Sequence, residues 1–170
     1  MAGARISDAI GPVLSTPNEM GIRYFAGGSV ASSIHGIARY TQDLDIVADL
    51  KPDQIDELAS RLVPEFYADA GQMRDSIRDG RSFNLIHVAS GFKIDVFPFG
   101  RNQFHEREWS RSGVTAWYID PTTALEIQVA SPEDTILNKL AWYRSGGQTS
   151  DSQWSDGLGI ATSRSAGQVS

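Results

Sequence analysis

Phe25 to Val47, FAGGSVASSIHGIARYTQDLDIV, is the stretch whose reading decides the fold. Residues 22–26, Ile-Arg-Tyr-Phe-Ala, are β-branched and aromatic and predict a strand. Gly27-Gly28-Ser29 interrupts it, and Val30 to His35 predicts a short helix that Gly36 stops. Glycines let a backbone approach a ligand closely, and a helix start presents free N–H groups to an anion such as phosphate. Ser29 adds a hydroxyl donor. Taken alone, strand, Gly-Gly and helix also describe a tight turn. Leu44 to Val47 predicts the second strand, headed by Asp43-Leu44-Asp45. Side chains two apart on a strand share a face, so both carboxylates converge while Leu44 and Ile46 point the other way. Like charges held together raise a pKa or demand a cation, and hard carboxylate oxygens favour Mg²⁺ or Mn²⁺. The plain alternative is a solvated strand edge.

Outward from this stretch, Phe92-Lys93-Ile94-Asp95-Val96-Phe97 alternates as a strand. Lys93, Asp95 and Phe97 share one face, and a carboxylate there needs a partner because an unpaired buried charge is costly. Lys93, a nearby Arg, or the cation of Asp43 and Asp45 all qualify. Residues 82–89 and 92–99 predict two antiparallel strands joined through Ser90-Gly91, and 114–119 a further strand. Residues 52–63 predict the clearest helix, with Ile55, Leu58, Ala59 and Leu62 on its buried face. Residues 70–79 predict a short polar helix. Ile10 to Leu14 predicts a weak helix closed by Ser15-Thr16-Pro17-Asn18. Ser131-Pro132-Glu133-Asp134 is a strong helix start, with Ile136, Leu137, Leu140 and Ala141 as the expected apolar stripe. Lys139 flanks that stripe, placed either to reach a ligand or to sit in solvent. The composition loses its helical pattern after Asp156, so 1–156 is the expected domain and 157–170 a disordered or truncated tail.

The chain has 170 residues, 41% hydrophobic and 21% charged, with no cysteine and a formal net charge of −6. That length suits one domain with a real core. No apolar run reaches the roughly 18–20 residues of a membrane span, and the first residues lack a signal-peptide pattern. Without cysteine there is no disulfide scaffold, thiolate zinc site or Cys nucleophile. The acidic balance argues against nonspecific nucleic-acid coating. The expected setting is the cytoplasm. His35, His87 and His105 lack ligand spacing for zinc. Arg101, Arg107 and Arg111, near Phe104 and Trp109, are expected on a solvated helix face, and Trp142 and Tyr143 in helix packing.

Gly-Gly-Ser, a helix, Gly36-x-x-Arg39-x-Thr41-x-Asp43-Leu44-Asp45-Ile46 and a later Ile94-Asp95-Val96 resemble the nucleotidyltransferase superfamily. Within it the sequence is similar to the abortive-infection type found as toxins in bacterial toxin–antitoxin pairs. The resemblance spans about residues 22–156. It implies an α/β (α+β) DNA polymerase β-like palm, a short mixed sheet flanked by helices. It also implies Asp43 and Asp45 as ligands of two divalent ions, Mg²⁺ or Mn²⁺, with Asp95 the third carboxylate. Gly27, Gly28 and Ser29 then bind a nucleoside triphosphate such as ATP, and an acceptor hydroxyl displaces pyrophosphate. Arg39 and Thr41 share the strand parity of the aspartates and are further candidates for the phosphates; a salt bridge is the other fate for Arg39. Lys139 followed by Arg144, then Asp151 and Asp156, matches the family's downstream pattern. RNA, a protein or a small molecule remains open as acceptor, and an antitoxin protein is an implied partner. A noncatalytic module of the same fold, binding a nucleotide or a protein, is the alternative reading.

Overall fold

The computed structural model describes residues 5–36, 38, 41–100, 103–145 and 160–162, with the side chain of Trp142 outside the description. The expectations for Arg39, Arg101, Asp151 and Asp156, and for the tail apart from 160–162, lie outside the described residues. Among the described residues no helix is long and apolar enough to cross a membrane.

In chain order the elements are α1 (Ile6–Glu19), β1 (Tyr24–Ala26), α2 (Gly28–His35), β2 (Asp43–Ala48), α3 (Ile55–Leu62), β3 (Phe66–Tyr67), α4 (Ala70–Arg78), β4 (Phe83–His87), β5 (Lys93–Pro98), α5 (Phe104–Arg111), β6 (Gly113–Asp120), β7 (Thr123–Val129) and α6 (Pro132–Ser145). The strands form one mixed sheet in the order β3-β4-β5-β2-β1-β7-β6. β1 runs antiparallel to β2, whereas β2 and β5 are parallel and in register from Asp43↔Lys93 to Ala48↔Pro98. Leu44, Ile46 and Ala48 of β2 and Ile94 and Val96 of β5 are buried in one core with α1 and α3. Asp43, Asp45, Lys93 and Asp95 therefore face the other side of the sheet, where α2 and α6 pack. The expected mixed sheet flanked by helices is present.

Local expectations fared unevenly, for physical reasons. The stripe Ile55, Leu58, Ala59, Leu62 is the buried face of α3, preceded by a tight turn at Pro52–Gln54. α4 is capped by Asp69, whose side chain accepts the N–H of Gln72 at 2.8 Å. The start of α6 is also as read: Ser131 Oγ accepts the Asp134 N–H at 3.1 Å. The Ser15 to Asn18 cluster does not end α1, which carries Pro12 and Pro17 inside it. Burial of Ala9, Ile10, Val13, Leu14 and Pro17 on one face outweighs the two lost backbone bonds. The β4–β5 link is not a two-residue turn: His87 N–H donates to Phe92 O at 2.9 Å, enclosing residues 88–91, with Gly91 at φ +70°. β7 was not read from the sequence, although Leu125, Ile127 and Val129 alternate with Glu126 and Gln128.

The stripe expected on α6 is reversed. Leu137 and Leu140 are exposed, at 56% and 38%, whereas Asp134, Thr135 and Lys139 are buried. The inward face of this helix is polar because it covers a site, not the core. Arg111 is likewise not simply solvated; it donates to both oxygens of buried Asp134, at 2.9 and 2.6 Å. At the end of the sheet Arg23 pairs with Asp49 (2.6 Å) and Glu106 (2.7 Å) and lies over the Phe99 ring, docking α5 beside β1, β2 and β5.

Candidate active site

Asp45 and Asp95 are direct register partners on the parallel strands β2 and β5, with Asp43 one side-chain repeat earlier on the same face. Parallel neighbours lie about 4.8 Å apart, so two carboxylates in register crowd one another. Burial first, then the charges of Asp43 and Asp95, raise the Asp45 pKa from 3.8 to about 6, against the opposing pull of Lys93 and Lys139. Lys93 Nζ pairs with Asp95 Oδ2 at 2.9 Å, the plain partner that strand parity allowed, and this contact raises the Lys93 pKa. Thr41 is spent on Asp43: its hydroxyl donates to the Asp43 carbonyl at 2.8 Å and lies 3.2 Å from Oδ1.

The glycine turn is built against this pair. Gly27 N–H donates to the Asp45 carbonyl at 3.0 Å, fastening the turn to β2. Gly28 opens α2 at φ +56°, and a Cβ there would overlap Asp45 Oδ2 and stand 2.8 Å from its Cγ. Only glycine fits that position without moving the aspartate. The first N–H groups of α2, at Gly28, Ser29 and Val30, have no intrahelical acceptors, and the positive end of the helix sits beside the acids. Ser29 is half-buried in this first turn. His35 Nε2 lies 2.7 Å from Ala130 O, tying α2 to the junction of β7 and α6.

A cavity of about 550 Å³ opens over these groups, within the range of small-molecule sites. Gly27, Gly28, Asp45, Asp95 and Lys139 are among its lining residues. Lys139 is 4% exposed, so it does not sit in solvent, and it lines the cavity with Asp45 and Asp95. The carboxylates suit a hard cation in donor type and in their crowded charge. Among the described residues, however, no three acidic or histidine side chains are arranged to hold a metal ion, and Lys93 engages Asp95. The same cavity is also lined by His105 and Glu108 of α5 and Asn138 of α6. Sequence reasoning missed these three. His105 had been weighed only for zinc spacing, and no motif marks a polar wall assembled from two helices. The only signal was polarity where α6 should have been apolar.

Solved structures share this architecture. The lincosamide antibiotic adenylyltransferase LnuA, lincomycin-bound, is 14% identical, with a TM-score of 0.56 over 89% of this chain and 94% of that one. An antigenic nucleotidyltransferase-like protein from Paracoccidioides brasiliensis is 17% identical, with a TM-score of 0.51 over 91% and 73%. The antibiotic-resistance factor ANT(2'')-Ia is 12% identical, with a TM-score of 0.53 over 92% and 81%. The fold is that of the nucleotidyltransferases. No protein of curated function matches the sequence. The family model "Nucleotidyl transferase AbiEii toxin, Type IV TA system" matches residues 15–151, and the chain belongs to that family. Nucleotidyl transfer is its class of activity.

Proposed function

We propose that the protein moves a nucleoside monophosphate from a nucleoside triphosphate to an acceptor hydroxyl, with Asp43, Asp45 and Asp95 as its working carboxylates. The observation that carries this reading is the close fit of Gly28 against Asp45, beside Asp95, in the lining of the cavity. Gly27, Gly28 and Ser29 hold the triphosphate through the start of α2, and Lys139 supplies buried positive charge. Asp43 and Asp45 would hold Mg²⁺ or Mn²⁺, with Asp95 the third ligand. One or two such ions, when bound, neutralise the phosphates and stabilise the attacking and leaving oxygens.

The acceptor oxygen forms a bond to the α-phosphorus, the bond to the β-phosphate oxygen breaks, and pyrophosphate leaves. Asp95 takes the hydroxyl proton. Thr41 acts as a positioning residue for Asp43, and Lys93 holds Asp95 in place through their 2.9 Å ion pair. Family membership supports a toxin whose action an antitoxin counters; RNA, a protein or a small molecule is open as the acceptor. Binding of a nonhydrolysable nucleoside triphosphate and of inorganic tripolyphosphate, with and without Mg²⁺, tests the reading. Binding that needs the ion and is lost in Asp43→Ala with Asp45→Ala supports it; no binding of either probe by the wild-type protein overturns it.

A further inference from the structure

The strand floor of the cavity changes character along β2 and β5. On β2 and β5 the acidic row Asp45–Asp95 is followed, two residues on and on the same face, by Phe25, Val47 and Phe97 in register across β1, β2 and β5. Two residues of strand span about 6.6 Å, so this apolar row begins one step beyond the phosphate end. His105 lies beyond this row, its ring 5.7 Å from that of Phe99, which follows β5, and Glu108 and Asn138 line the cavity with it.

Glu108 is the acid that the reaction above leaves unused. Its side chain is 1% exposed, yet it borders the cavity. Oε1 accepts from Asn138 Nδ2 at 2.5 Å. Oε2 has no partner within hydrogen-bond distance among the described residues; His105 Nε2 is 3.9 Å away. No buried side-chain oxygen or nitrogen of the described residues lacks a partner, so Oε2 must reach the cavity surface. His105 Nδ1 accepts the Gly100 N–H at 2.7 Å, which places the proton of the neutral ring on Nε2, towards Glu108. Burial lowers the His105 pKa and keeps that ring neutral. A carboxylate oxygen that only accepts thus waits at the end of an apolar slot, with a neutral N–H beside it.

Resting on the nucleotide reading above, we propose that this end of the cavity is the base subsite. Phe25, Val47 and Phe97 form its floor, and Glu108 Oε2 accepts an N–H from an amino-bearing base. Adenine, cytosine and guanine offer such an N–H on an open edge. Uracil offers its one N–H between two carbonyls, which a carboxylate repels. The site selects against uridine nucleotides. Burial also raises the Glu108 pKa, so an arriving N–H relieves a carboxylate poorly solvated on its own.

The test is calorimetric titration of the protein with the four α,β-methylene nucleoside triphosphates and with tripolyphosphate, in Mg²⁺. The uridine analogue is expected to bind at least about tenfold more weakly than the best of the others, the worth of one hydrogen bond to a charged group. Glu108→Gln, whose amide oxygen can keep the Asn138 bond while an N–H₂ donor replaces the second oxygen, narrows that gap to about threefold or less. Glu108→Asp, which withdraws the carboxylate, does the same should the first variant fail to fold. Tripolyphosphate affinity reports an intact phosphate end in either variant. Equal binding of all four analogues by the wild-type protein overturns the proposal, as does an unchanged gap in a variant that still binds tripolyphosphate. Failure of the wild-type protein to bind tripolyphosphate would instead strike the nucleotide reading itself.

Discussion

Gly28→Ala is the most informative single substitution. Alanine at φ +56° costs roughly 1–2 kcal/mol for the left-handed backbone alone. The new methyl would stand 2.8 Å from Asp45 Cγ and 3.1 Å from its Cβ. Carbon atoms prefer about 3.5–4.0 Å, so the carboxylate must swing away by roughly 1 Å. A rotamer displaced that far adds about 0.5–1.5 kcal/mol, for a total near 2–3 kcal/mol. Stability is the smaller effect. A group misplaced by 1 Å in a reacting site is worth about 100-fold, so nucleotide binding in Mg²⁺ should fall by that order in protein that remains folded. Urea denaturation gives the first number and calorimetric titration the second. Gly27→Ala is the control, since a Cβ there meets nothing within 4 Å and φ is −120°; its stability should stay within about 0.5 kcal/mol of the wild type. Binding by Gly28→Ala within threefold of the wild type would refute the argument that Gly28 is glycine because of Asp45.

Asp45→Asn should stabilise the fold while destroying the site. The raised pKa, about 6 against 3.8, means the folded state binds the extra proton, so the stability it contributes is present at low pH and lost as pH rises through 6. Two units correspond to at most about 3 kcal/mol, and the melting temperature of the variant relative to wild type should climb between pH 4 and 7; a flat difference contradicts it. Asp134 behaves oppositely. Burial would raise its pKa, but the bonds from Arg111 and Ser131 win and lower it, so its stabilisation is present above the ordinary carboxylate range and lost as pH falls through the folded value. Arg111→Met, which leaves that buried acid without its counter-charge, should cost about 1–3 kcal/mol at pH 7 by denaturant titration, since Arg111 itself is half exposed. Leu137→Gln should change stability by less than about 0.5 kcal/mol, whereas Ile127→Ala, 1% exposed, should cost about 2–5 kcal/mol. Equal losses would restore the apolar stripe of α6 to the core.

The part of the site that a short motif encodes was legible, because local chemistry determines it. Strand parity placed Asp43 and Asp45 on one face, the resemblance added Asp95, and the register of β2 with β5 brings Asp45 and Asp95 together. Glycines 27 and 28 were read as a close approach, but which one is tight, and against what, depends on φ and on the neighbouring strand. α6 shows the limit. Its leucines fit a helical stripe, yet Lys139 and Asp134 are the buried residues, because charge already placed on β2, β5 and α5 decides which face turns inward. Glu108 and Asn138 are 30 residues apart in the chain and meet at 2.5 Å only through the packing of two helices. No sequence window contains that contact. Pro12 and Pro17 mislead for a similar reason: a breaker is a local preference, and burial of α1 overrides it.

The central claim, transfer of a nucleotide by the carboxylate face of β2 and β5, is tested most directly by the fate of the phosphates. The protein is incubated with Mg²⁺, a cell lysate and nucleoside triphosphates labelled in parallel at the α- or the γ-phosphate. The account predicts that α-label joins an acceptor, that γ-label is released in pyrophosphate, and that Asp43→Asn with Asp45→Asn abolishes both. Label transferred from the γ-position, or α-label transferred equally well by the double variant, would contradict it.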